Sequence, residues 1–454
     1  MTSSLLATMA ALSVLAGPFP NSAAFEMRFT GGLSKAGQAA DANAVKRFSL
    51  YSALIFGNAG PRLVHSINER GAGAWAWPER FGEIEFDPSY NVRSGRPIRL
   101  LFDYQGTPVV VPLPVPVAGF ADKLKAGARW TEGKETWEVK DQATVADRKC
   151  WVIQVSTGIG RKRTVWVDVE QPIVVALEER VFVGQGDEHL LKWQLESAGP
   201  LDPESLAIAS RPLPALLKLQ RDLQRSDDEF RPELNETQLK LAQEALPELQ
   251  KEAADTPFGA LVSAIAKDVR AQLQRTDEVS RLADKFVGMA APALSLNLAD
   301  RTTVAEADFK DRITVLHFWE YQAEPLIEPY GQIGYLDFLY GKRRKLGVQV
   351  YGVAVDGRFG DPQTAGAALK SVQKLQEFMH LSYGLAVDDG KLLSKLGDPR
   401  KYGAKLPLWV VIGADGKVVH YHAGLYKINP DEGLQQLDDV LVKLVREQKK
   451  GEKK

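Results

Sequence analysis

From Phe25 to about Gly199 apolar and polar residues alternate in short runs. Phe25, Met27 and Phe29 face one way and their polar neighbours the other, the period of a strand with one buried face. Runs of similar reading cover 98–104, 107–117, 136–140, 150–156, 163–168, 173–182 and 190–197. Frequent Gly, Pro, Asp and Asn between them predict antiparallel strands and hairpins. From Leu201 to about Phe286 the period lengthens. Leu213, Leu216, Leu217, Leu219 and Leu223 recur at helical spacing, as do Leu239, Leu241, Ala242, Leu246 and Leu249, and then Leu261, Ile265, Val269 and Leu273. Pro203, Pro212, Pro214, Pro232 and Pro257 punctuate these stripes, so three or four amphipathic helices are expected. From about Val287 to Arg446 strand-like runs (313–319, 348–356, 408–412, 418–422) alternate with helical ones (331–344, 365–379, 432–448), the signature of an α/β sheet.

The chain therefore reads as a multidomain α+β protein: an antiparallel β-rich, Trp-rich domain over 25–199, a helical spacer or binding platform over 200–286, an α/β domain over 287–446 and a basic tail over 447–454. At 454 residues there is room for two or three separate cores. The first 24 residues read as an export leader, with an apolar stretch from Leu5 to Gly17 and a small-x-small site at Ser22-Ala-Ala24. The leader departs from the usual pattern in having no Lys or Arg ahead of the apolar stretch. Cleavage after Ala24 and a periplasmic or secreted location are expected. No later apolar run approaches the roughly 20 residues a spanning helix needs. A net charge of −1 supplies no basic field for nucleic acid.

There is one cysteine, Cys150, so no internal disulfide can form. It lies in an apolar strand-like run and reads as a buried inert thiol; an intermolecular bridge or a lone redox thiol are the alternatives. Seven of the nine tryptophans, from Trp75 to Trp193, fall in the β-rich region. They read as core, or as the lining of a concave sheet that receives an apolar ligand or a polypeptide.

Five separated pieces of the last third resemble the extracytoplasmic thioredoxin-like proteins of bacteria, a group with membrane-associated peroxiredoxins among its members. They are Gly288-Met-Ala-Ala-Pro-Ala-Leu-Ser-Leu296, Asp308-Phe-Lys310, Val315-Leu-His-Phe-Trp319, Leu346-Gly-Val-Gln-Val-Tyr-Gly-Val-Ala-Val-Asp356, and Tyr402-Gly-Ala-Lys-Leu-Pro407 with the hairpin around Asp415-Gly416. The resemblance implies a Cys-x-x-Cys pair on the helix N-terminus after Trp319, where the dipole favours a thiolate. Here those positions are Ala323 and Leu326, which can neither attack nor oxidise. It also implies a cis bond before Pro407 and a groove bordered by Trp319, Tyr321, Ala323, Leu406 and Pro407, able to hold an extended peptide. More faintly, the Trp-bearing strands around Thr144–Val155 and Leu177–Val183 resemble the curved sheet of periplasmic lipoprotein carriers.

Other candidates read as structural. Glu320, Glu324 and Glu328 suit the start of a helix. His420 and His422 share one strand face and read as Tyr-flanked surface residues, since no further ligand stands at metal-site spacing. No cofactor motif is evident. The expected function is a protein- or peptide-binding module without redox chemistry; a thiol oxidoreductase using Cys150, or a carrier of apolar ligands in the N-terminal sheet, are the alternatives.

Overall fold

The computed structural model describes residues 19, 22–36, 44–57, 60–71, 77–104, 107–184, 186–225, 233–320, 332–429 and 431–451. The chain forms two compact units, residues 1–272 and 273–454. It is a multidomain α+β protein, as the residue pattern indicates.

The first unit opens with β1 (Ala24–Lys35), β2 (Ala44–Gly57), β3 (Gly60–Gly71), β4 (Phe81–Phe86) and β5 (Val92–Gly95). A separate hairpin follows, β6 (Arg99–Tyr104) with β7 (Thr107–Pro112). The chain returns through β8 (Arg129–Glu132), β9 (Glu135–Val145), β10 (Arg148–Thr157), β11 (Gly160–Asp168), β12 (Val174–Val183) and β13 (Asp187–Leu201). All but the hairpin join one eleven-stranded antiparallel sheet, ordered β5-β4-β3-β2-β1-β13-β12-β11-β10-β9-β8. Every step is between sequence neighbours except where β13 comes back to β1. Phe29 stacks on Trp193 across that closure, with ring centroids 4.8 Å apart. Leu100 and Val111 of the hairpin join Phe29, Leu50 and Ile153 in the same core, so the sheet's inner face is filled by the chain's own side chains.

Four helices follow: α1 (Pro203–Ser210), α2 (Leu213–Asp222), α3 (Glu236–Ala253) and α4 (Gly259–Phe286). Asn235 and Gln238 start α3 with a reciprocal capping box. Gln220 of α2 donates to the carbonyls of Pro78 (2.5 Å) and Phe81 (3.0 Å), Trp77 donates to Asp268 of α4 (3.1 Å), and Tyr51 meets Phe258 edge-on. The β2–β3 part of the sheet is thereby buried on both faces. Strands β2 and β3, absent from the strand-like runs of the sequence, lack clean alternation for this reason: Tyr51 to Ile55 are all buried in succession. Phe19, inside the segment expected to be a leader, is buried against Phe25, Phe56 and Tyr90.

The second unit contains β14 (Leu296–Leu298), β15 (Thr303–Val304), β16 (Ile313–Glu320), α5 (Ile333–Arg343), β17 (Val348–Val355), α6 (Ala365–Phe378), β18 (Gly384–Asp388), α7 (Lys391–Lys395), β19 (Leu408–Ile412), β20 (Val418–Ala423) and α8 (Gln435–Gly451). Its sheet order is β15-β14-β18-β17-β16-β19-β20. β16, β17 and β18 are parallel, and β19 runs antiparallel to β16. One core gathers Leu336 of α5, Val372 of α6 and Leu441 of α8; the other gathers Leu282 of α4, Phe309 and Leu393. The central strand β16 is buried from Ile313 to Trp319 without a break, as a strand covered on both faces must be.

Candidate functional site

Glu320 is the first residue of β16 to reach solvent. Arg400 donates to its carboxylate at 3.2 Å and makes a two-pronged contact with Asp398 through Nε (3.0 Å) and Nη2 (2.8 Å). Asp398 also accepts the backbone N–H of Arg400 (3.0 Å), which caps the short turn Pro399–Tyr402. Burial would raise the Asp398 carboxyl, but the hydrogen bonds and charge of Arg400 outweigh it and hold it below the usual carboxylate range. Arg400, 80 residues further along the chain, is thus the ionic partner of Glu320, and Asp398 holds Arg400 in turn.

The Leu406–Pro407 peptide bond is cis. Pro407 is buried and its carbonyl accepts the N–H of Gly424 at 2.7 Å. The next residue, Leu408, pairs with Phe318, so Pro407 and Trp319 stand at the same end of the β16–β19 pair. Leu406 is half-buried, its side chain packed against the core under β19. Among the described residues none hydrogen-bonds its backbone. Trp319 is only 1% exposed. Tyr321, Ala323, Glu324, Leu326 and Glu328 lie outside the described residues. Of the five groove candidates, the structure thus places Trp319, Leu406 and Pro407 at one sheet end.

Behind this end lies an aromatic array. His317 stacks on Trp409 at 3.9 Å, Trp409 lies 5.2 Å from Tyr426, and His422 stacks on Tyr426 at 4.3 Å. His420 Nε2 is 2.6 Å from the Tyr426 hydroxyl. Gln332 fixes Tyr426 by donating to its carbonyl (2.7 Å) and accepting its N–H (3.0 Å). The pair expected at the surface is half-buried instead, because Tyr426 folds back over β20. Burial lowers both imidazole pKa values, and His422 lowers that of His420 further. Among the described residues no group of three or more His, Cys, Asp and Glu is gathered that could hold a metal.

Cys150 is in the other unit, in β10 between Ala143 and Asp168, and is fully buried. Its thiol sits 3.4 Å from the Arg148 carbonyl. Burial, and then the Asp168 carboxylate, push its pKa up to about 11, so its thiolate is scarce at neutral pH.

A parallel β-α-β-α-β core, with an antiparallel hairpin entered through a cis proline, defines a thioredoxin-like domain. Residues 287–421 match the AhpC/TSA family, and this C-terminal segment is a redoxin domain. No curated protein matches the chain. Among solved structures it is similar to a candidate thiol:disulfide interchange protein DsbE from Chlorobium tepidum, at 22% identity over 35% of this chain and 97% of that one, with a TM-score of 0.26. It is also similar to a secreted Mycobacterium tuberculosis disulfide oxidoreductase homologous to E. coli DsbE, at 16% identity over 34% of this chain and 95% of that one, with a TM-score of 0.24.

Proposed function

We propose that the redoxin domain carries out no dithiol chemistry and instead binds an extended segment of a partner protein at the Trp319–Leu406–Pro407 end of its sheet. The observation that carries this is the pair Ala323 and Leu326 at the two cysteine positions. The only thiol, Cys150, is buried in the other unit with a raised pKa, which supports the same reading against a redox role. The backbone of Leu406, which no described residue hydrogen-bonds, would give a peptide one strand edge to pair with, main-chain bonds supplying affinity and neighbouring side chains selectivity. We place the protein outside the cytoplasm on the strength of its apolar N-terminal stretch. The packing of Phe19 favours a leader cut upstream of it over one after Ala24.

The test has two arms. The full chain and Cys150→Ser are assayed for disulfide-reductase and peroxidase turnover, and both should be inactive. A photo-crosslinking residue at position 406 should capture an extended peptide that Leu406→Lys binds about tenfold more weakly. Turnover that disappears in Cys150→Ser sinks the reading, as does peptide binding indifferent to Leu406→Lys.

A further inference from the structure

The face of the eleven-stranded sheet turned away from its main core carries a cleft of about 450 Å³, within the size range of small-molecule sites. Strand register explains the cleft. In one cross-strand row Trp166 stands beside Ala176, Gln194 and Thr30. In the next row Glu178 stands beside Lys192, Gly32 and Arg47. Ala176 and Gly32 are the smallest members of their rows, so the surface sinks between the indole and the long polar side chains. The low point at Gly32 has little room to rise, because a Cβ there would lie 2.9 Å from the Lys46 carbonyl.

The lining decides the ligand. Trp166 offers a half-buried flat apolar plate. Gln194 and Thr30 both donate and accept, Glu178 accepts, and Lys192 and Arg47 donate. The Glu178–Lys192 pair, 2.7 Å apart, has both side chains 42% exposed, so it is within reach of a ligand. An alkyl chain would leave these polar groups without partners, which is costly in a closed contact. A polyanion would meet a carboxylate as well as cations. A molecule with one apolar face and a rim of groups that both donate and accept satisfies every wall. We propose that this cleft binds a saccharide, with the C–H face of one ring on Trp166 and its hydroxyls on Gln194, Glu178 and Lys192.

Isothermal titration of the full chain with glucose, N-acetylglucosamine, cellobiose, maltotriose, chitobiose and digalacturonate tests it. At least one sugar should bind with Kd of about 1 mM or tighter. Trp166→Ala should weaken it about tenfold, the order expected for loss of an aromatic stack. Gln194→Ala, at an exposed position, should weaken it several-fold with the melting temperature unchanged. Ala176→Leu should fill the cleft and abolish binding. A panel with no binder at millimolar concentration overturns the proposal, and so does binding that Gln194→Ala and Ala176→Leu leave untouched.

Discussion

In residues 1–272 the Glu69 carboxylate is sealed between Lys46 (3.0 Å) and Arg80 (2.9 Å), with all three side chains 2% exposed or less, and also accepts the Leu101 N–H at 3.1 Å. In residues 273–454 the Glu320–Arg400–Asp398 chain lies at a strand end, with Glu320 47% and Arg400 32% exposed. The contacts are of similar length and opposite consequence. The wide sheet is covered on both sides around β2 and β3, so a charge on an inner strand must be matched inside. The redoxin sheet keeps the middle of β16 apolar apart from Thr314 and His317, and releases charge only where the strand stops. Burial, rather than distance, sets what each pair is worth.

The sharpest way to break that contrast is Glu69→Ala. It removes the carboxylate held between two buried cations and should cost about 3–5 kcal/mol, read as a loss in denaturant midpoint for the first unit. A loss no larger than that of an exposed pair would refute the account. The next effect is pH-dependent. His65 of β3 is fully enclosed with its Nε2 3.1 Å from the Arg96 carbonyl, and burial lowers its pKa to about 4. An unfolded histidine titrates near 6.5, so the unfolded chain takes up the proton first. Stability from this group is complete above pH 6.5 and declines as pH falls towards 4, by about 3 kcal/mol in all. Melting curves between pH 7 and 4.5 should show this slope, and His65→Gln should flatten it. The smallest effect is Glu320→Gln, which should shift stability by about 0.5 kcal/mol or less in physiological salt. A loss of several kcal/mol there would mean that the strand end is far less solvated than its exposure indicates.

The same contrast explains what could be read from the residues. β16, β17 and β19 are short, nearly continuous apolar runs between turn residues, and their expected spans lie within a residue of the observed ones. β18 escaped because five residues beginning with Gly384 carry too little pattern. β2 and β3 escaped because Ser52, His65, Ser66 and Glu69 interrupt the apolar positions of strands that are nonetheless buried. A polar residue deep in a sheet looks like a surface residue until its partner is known, and Glu69 finds its partners on three other segments. The site shows the same limit. Trp319, Leu406 and Pro407 are legible because strand and loop signals surround them, whereas Arg400, held by Asp398, reaches Glu320 only through tertiary folding.

An open sheet of eleven strands has two rims of unpaired backbone, and such rims invite other chains to add on. Here the rims are β5 and β8, each four residues long. β5 is exposed along its whole length, carries Arg93 and ends at Gly95 with φ +119°. β8 begins with Arg129 and ends with Glu132, which Lys123 grips at 3.0 Å. Short, charged ends deny a second molecule the length of ladder it would need to zip up. The width of the sheet is thus uncoupled from the length of border it offers, and a second chain arriving at either rim strand would find only four residues to pair with.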